Sequence, residues 1–442
     1  KIIISGRMMF HQKNYLRLAA PFALIVSMSV PAIADDGVDS GNTAWILTST
    51  ALVLFMTLPA LALFYGGLVQ AKNVISVMMH CVTIAAIASV LWLVAGYSLV
   101  FTDGGEVNGF IGSLDKAFLL GVTPDSLSGS IPEVVFFMFQ MTFAIITPAL
   151  IVGAWPERIK FGAVVGFATI WLMVVYVPVA HWVWGGGWLA DMGVMDFAGG
   201  LVVHATAGAS AIVVALMLGR RKNFPREIRP PHNPGMTMMG AGMLWVGWYG
   251  FNAGSALAAD GSAGMAMTVT HISAATATIM WMLIEQVKFG KPSMIGAVTG
   301  TIAGLATITP AAGFIGPIGA LAYGALAGFV CFYAVQLFKM KLGIDDSLDV
   351  FAVHGVGGIM GTLLTAAFAL PSLGGLGLPE GVTASEQFLV QFIGVASVIV
   401  WSVIASWLIL LVIRSVFGLR VNDEEEYEGL DVISHGEHGY DF

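Results

Sequence analysis

Two histidines stand 150 residues apart in short matching segments, Val203-His204-Ala205-Thr206-Ala207-Gly208 and Val353-His354-Gly355-Val356-Gly357-Gly358. A neutral imidazole accepts a proton on one nitrogen and gives one from the other, so two in contact make a path for protons. Each lies in an apolar stretch with no other ionisable residue at its depth. A lone histidine there is more often a packing residue, but a pair at matching positions marks a site. No His-Glu-x-x-His run and no Gly-x-Ser-x-Gly elbow accompanies them, so neither an enzyme nor a metal or cofactor site is expected.

A second constellation surrounds the first histidine. Trp182-Val183-Trp184-Gly185-Gly186-Gly187 is followed by Asp196-Phe197-Ala198-Gly199-Gly200, and later by Gly247-Trp248-Tyr249-Gly250-Phe251-Asn252-Ala253-Gly254-Ser255. An aromatic face beside a hydroxyl or carbonyl suits a small cation, because the ring attracts charge while oxygen accepts its hydrogen bonds. An aromatic belt at a membrane surface is the better account of Trp184 taken alone.

The elements that must hold these residues are membrane helices. The chain has 442 residues, 57% hydrophobic and only 10% charged, with a mean hydropathy of +0.86. That leaves too little polar surface for a soluble globule or an appended soluble enzyme domain, and nothing suggests nucleic-acid binding. Apolar runs predict an all-α membrane protein with eleven transmembrane helices near 43–65, 75–101, 134–153, 161–180, 199–218, 236–256, 265–286, 293–308, 317–338, 349–369 and 387–416. With the amino terminus outside, fourteen basic residues fall on inner connections or the inner tail and only Lys116 lies outside, which puts the carboxyl terminus inside. Five spans separate the two histidines, so their helices run in opposite directions, as in an inverted five-plus-five repeat with a final helix added. Asp196 is the expected cap of the fifth helix and Asp349 that of the tenth, which brings both imidazoles toward mid-membrane. Gly296, Gly300 and Gly304, like Ala320, Gly324 and Gly328, recur every four residues and predict close helix packing.

Residues 1–34 read as a signal peptide: Lys13 and Arg17, an apolar stretch from Leu18 to Val30, then Ala32-Ile33-Ala34 as a cleavage site. An uncleaved amphipathic anchor is the other reading. The eleven-helix membrane domain is then 35–416, with a cytoplasmic tail at 417–442. Cys81 and Cys331 lie in separate apolar runs and read as small buried hydrophobes. The tail carries Asp423, Glu424, Glu425, Glu426 and Glu428, a run ordinarily read as a disordered acidic end.

Taken together, these pieces resemble the ammonium transporter family, in its Amt/Mep branch. The resemblance covers nearly all of 35–442 and rests on Phe64-Tyr65-Gly66-Gly67-Leu68 with Lys72-Asn73, Ala154-Trp155-Pro156-Glu157-Arg158, the Asp196 to His204 and Gly250 to Ser255 segments, Asp349-Val350-Phe351 leading to His354-Gly355, and Gly429-Leu430-Asp431. It implies an ammonium recruitment site at Phe139, Trp184 and Ser255, supported by Asp196. Phe139 and Phe251 would form a stacked gate below it. His204 and His354 would pair in the pore, with Trp248 on its wall, passing ammonia with a separate proton relay. It further implies a homotrimer in a cell inner membrane and an ordered regulatory tail that docks a PII-type nitrogen signal protein. Ala205-Thr206 and Trp155 depart from the usual pattern and bear on pore width. A sensor built on the same pore is the nearest competing role.

Overall fold

The computed structural model describes residues 37–222, 224–226 and 229–441. The expected signal peptide at 1–34 lies outside the described residues.

The first helices are α1 (Ser40–Leu68), α2 (Ala71–Phe101), α3 (Glu133–Ala154), α4 (Phe161–Asp191) and α5 (Gly200–Leu218). A 21-residue helix, α6 (Pro234–Gly254), comes next. After it come α7 (Gly261–Phe289), α8 (Met294–Ala311), α9 (Pro317–Lys341), α10 (Phe351–Phe368) and α11 (Ala384–Val416). All of these except α6 are long and apolar enough to cross a membrane, ten in number among the described residues. The chain is a multi-pass membrane protein. A two-stranded ribbon, β1 (Leu127–Ser128) with β2 (Ile131–Pro132), precedes α3.

Glycine sets how closely the helices approach. A Cβ on Gly300 or Gly304 would lie 2.7 Å from the Cβ of Trp281 or Ala277 on α7, and one on Gly324 would lie 2.4 Å from the carbonyl oxygen of Ser273. These small residues let α8 and α9 press against α7 with backbone in contact, the packing that lipid favours. The same device joins α5 to α10. A Cβ on Gly208 would sit 2.3 Å from the Cα of Gly355, and one on Gly358 would sit 2.7 Å from the carbonyl oxygen of Gly200. The glycines of the two histidine motifs thus make the crossing at which the histidines meet. Cys81 and Cys331 are both fully buried.

The acidic tail is helical over α12 (Asp423–Glu428) and α13 (Leu430–His435). Asn422 caps α12 through the amides of Glu424 and Glu425. The Asp431 carboxylate accepts from Ser76 N at 2.8 Å, Leu430 N donates to Asn73 Oδ1 at 2.8 Å, and Lys72 donates to the carbonyls of Glu426 and Tyr427. Asp431 therefore places negative charge at the start of α2, where the helix dipole and its free amides welcome it. These fixed contacts exclude the reading of the run as a disordered end.

Candidate functional site

Both histidines sit in π-helical turns, His204 within Gly200–Ala205 and His354 within Phe351–Gly355. A widened turn of this kind redirects one side chain without ending the helix, and it recurs at functional sites. The two Nδ1 atoms are 3.2 Å apart and the rings are 19° from parallel. For that contact to be a hydrogen bond between neutral rings, one Nδ1 donates and the other accepts, so the two imidazoles take opposite tautomers. Both are buried, and His204 Nε2 has no hydrogen-bond partner among the described residues.

Trp248 lies against His204, with ring centres 5.4 Å apart and planes within 20°. Phe251 is on the same helix, 5.6 Å from Trp248 and 6.0 Å from His204. Met56, Leu61, Ile146, Leu244 and Ile302 join these rings and His354 around a cavity of about 10 Å³. That is room for about one water molecule, far too little for a hydrated ion. Beyond His354 the space widens to a vestibule of about 380 Å³, reached by Lys72, Arg221, Arg229, Lys339, Asp349 and Glu426.

At the opposite end the expected stack is corrected. The ring facing Phe251 is Phe143, at 4.4 Å and 30°, and not Phe139. Phe139 lies one turn away on α3, edge-on to Phe143 at 5.1 Å. Residues at i and i+4 share a helix face, so both phenylalanines qualify by pattern and only depth along α3 separates them. Phe143 also meets the edge of Trp184 at 5.7 Å. The four-residue spacing was the signal available for it. Trp184 Nε1 donates to the carbonyl of Asp196 at 2.9 Å, and Ser255 Oγ donates to the carbonyl of Phe251 at 2.8 Å. Ser255 keeps its lone pairs for another partner.

Asp196 accepts four backbone amides, from Gly199, Gly200, Leu201 and Val202, at 2.5 to 3.1 Å. Burial raises its carboxyl, and these four N–H groups oppose the shift. It is the cap of α5. The second cap is also corrected: Asp346, not Asp349, accepts Phe351 N at 2.7 Å, while Asp349 pairs with Lys339 at 2.8 Å. Asp346 stands eight residues before His354, as Asp196 stands eight before His204. The offset of 150 that pairs the histidines pairs these two aspartates as well. Trp155 is fully buried and donates to His80 at 3.4 Å. Among the described residues, no group of three His, Cys, Asp or Glu is placed to hold a metal.

The pattern of the Ammonium Transporter Family matches residues 44–440. An ammonium transporter of Aquifex aeolicus is 47% identical over 404 residues, covering 91% of this chain and 94% of that one. The structure of Saccharomyces cerevisiae Mep2 aligns with a TM-score of 0.79 at 34% identity, over 88% of this chain and 89% of that one. A sensor Amt protein aligns at 0.83 with 30% identity, over 89% and 98%. Those names describe transporters and a sensor, not enzymes. With a narrow apolar cavity around two touching histidines and likeness over nearly the whole described length, the chain belongs to the ammonium transporter family.

Proposed function

We propose that this chain captures ammonium at a mouth formed by Trp184 and Ser255 and braced by Asp196, strips its proton, and passes ammonia between His204, His354 and Trp248. The observation that carries this reading is the 3.2 Å contact of two buried imidazoles in a cavity with room for about one water. Ammonium and potassium are nearly the same size, so a filter by radius fails, but only ammonium can lose a proton and continue as a neutral molecule. Moving the intact ion through a space without oxygen ligands is heavily penalised by desolvation. Neutral ammonia meets a far smaller barrier, and the paired rings offer the released proton a separate route. Phe143 over Phe251 takes the gating role that the resemblance assigned to Phe139, with Phe139 buttressing it.

Around this pore we place eleven spans, counting α6, in two inverted halves with α11 added. The carboxyl terminus faces the cytoplasm and the membrane is a bacterial-type inner one. The positive-inside distribution supports that orientation. We further place residues 1–34 as a signal peptide, three copies of the chain in a homotrimer, and the tail at 417–442 as a regulatory element that docks a PII-type nitrogen signal protein.

Current in proteoliposomes under gradients of ammonium, methylammonium and potassium tests the pore. Apolar replacement of either histidine should lower ammonium current at least about tenfold with no potassium current, because the relay is cut and no ligand for a cation is added. His204→Asp or His354→Glu should keep current but admit potassium, since a carboxylate stabilises an intact ion. Unchanged ammonium current and selectivity in the doubly apolar variant would return the pair to a packing role.

A further inference from the structure

Trp248 walls the cavity beside His204, and its indole carries one strong donor, Nε1–H. Where that N–H points decides whether the wall shows the passing molecule a bare ring or a hydrogen-bonding group. It donates to Thr309 Oγ1 at 2.9 Å. Thr309 Oγ1 in turn donates to the carbonyl of Leu305 at 2.8 Å, so the hydroxyl proton is committed to the helix and a lone pair is left for the indole. Thr309 is fully buried and is not among the residues lining the cavity.

The next residue ties the same turn to the histidine. Pro310 accepts Phe197 N on its carbonyl at 3.0 Å, and a Cβ on Gly200 would lie 2.4 Å from the Pro310 Cβ. Gly200 opens the π turn that ends just past His204. The end of α8 therefore holds Trp248 through Thr309 and the base of the His204 turn through Pro310.

We propose, on the pore reading above, that Thr309 is a positioning residue that keeps the Trp248 N–H turned out of the lumen and the indole parallel to His204. The histidines are then the hydrogen-bonding groups that ammonia meets at this depth. Without the hydroxyl the buried N–H loses its partner, the ring turns to find another, and its donor competes with the imidazoles for ammonia or water.

The test is a comparison of Thr309→Val, Thr309→Ser and Trp248→Leu, with Thr309→Val also made on the Trp248→Leu background. All are assayed for ammonium current after size-exclusion shows folded protein. Thr309→Val should lower maximal current by about five- to tenfold with half-saturation unchanged, because capture at the mouth is untouched. Thr309→Ser should recover current to within about twofold, since it restores the acceptor. On the Trp248→Leu background, Thr309→Val should have no further effect. An equal loss with and without Trp248, or a serine variant no better than valine, overturns the proposal. Should the doubly apolar histidine variant conduct normally while these threonine effects persist, the pore reading fails and the link between Thr309 and Trp248 stands.

Discussion

Asp196 and Asp346 begin two segments of the same length and the same turn geometry, yet they are held in opposite ways. Asp196 has both oxygens filled by four amides, beneath a layer of aromatic rings. Asp346 spends Oδ2 on Phe351 N, while its Oδ1 is buried with no hydrogen-bond partner among the described residues. Its carboxyl is pushed up to about 7, first by burial and then by Asp349 three residues on. The Asp196 end is closed by Phe143 on Phe251, whereas the Asp346 end opens past His354 into a charged vestibule. One motif used twice thus lies under closed aromatic rings on one side and beside a polar, titratable vestibule on the other. Repetition supplies the pair of imidazoles, and the surroundings make the two sides unlike.

Removing each carboxylate should show the difference at its largest. Asp196→Ala orphans four amides at once and should destabilise the protein by about 3–5 kcal/mol. Asp346→Ala orphans fewer donors and relieves an unpaired oxygen, so about 1–2 kcal/mol is expected. Thermal unfolding in detergent measures both, and equal losses would erase the distinction.

The aromatic closure of the Asp196 end can be broken separately from its packing. Phe143→Ala should change transport, with weaker discrimination against potassium or larger cations. Phe139→Ala should keep selectivity while lowering stability, by about 3 kcal/mol for a buried ring. If selectivity followed Phe139 and ignored Phe143, the correction made above would be reversed.

The smallest effect concerns pH at the other end. Asp346 titrates near 7 when folded and near 4 when unfolded, so between those values the folded state holds a proton that the unfolded state releases. Stability from this group is full below about pH 4 and falls as pH rises toward 7. Asp346→Asn keeps an acceptor for Phe351 N and has no proton to lose. Relative to that variant, the melting temperature of the unaltered protein should drop a few degrees from about pH 5 to about pH 8. A constant gap would show that Asp346 is charged throughout.

Much of this protein was legible in its residues. Lipid allows few structures, so long apolar runs and the placement of lysine and arginine predicted a multi-pass helical bundle. The repeated histidine hexapeptides located the pair, and the four-residue recurrence of Gly296, Gly300 and Gly304 and of Ala320, Gly324 and Gly328 predicted the close packing of α8 and α9 on α7. The acidic tail could not be settled the same way. Its order depends on Lys72, Asn73 and Ser76, more than 340 residues away in the chain.

Composition, charge and repeat spacing by themselves determined that the chain crosses a membrane many times and carries two matched histidines. They act through hydrophobic burial and helix periodicity, which are local and additive along the chain. Which phenylalanine faces Phe251, which aspartate caps α10 and where the Trp248 N–H points were decided only in three dimensions. Phe139 and Phe143 share a helix face, and Asp346 and Asp349 lie three residues apart, so a shift of one turn exchanges their roles. That shift is set by how deeply α3, α8 and α10 pack against their neighbours, a sum of contacts between residues remote in sequence.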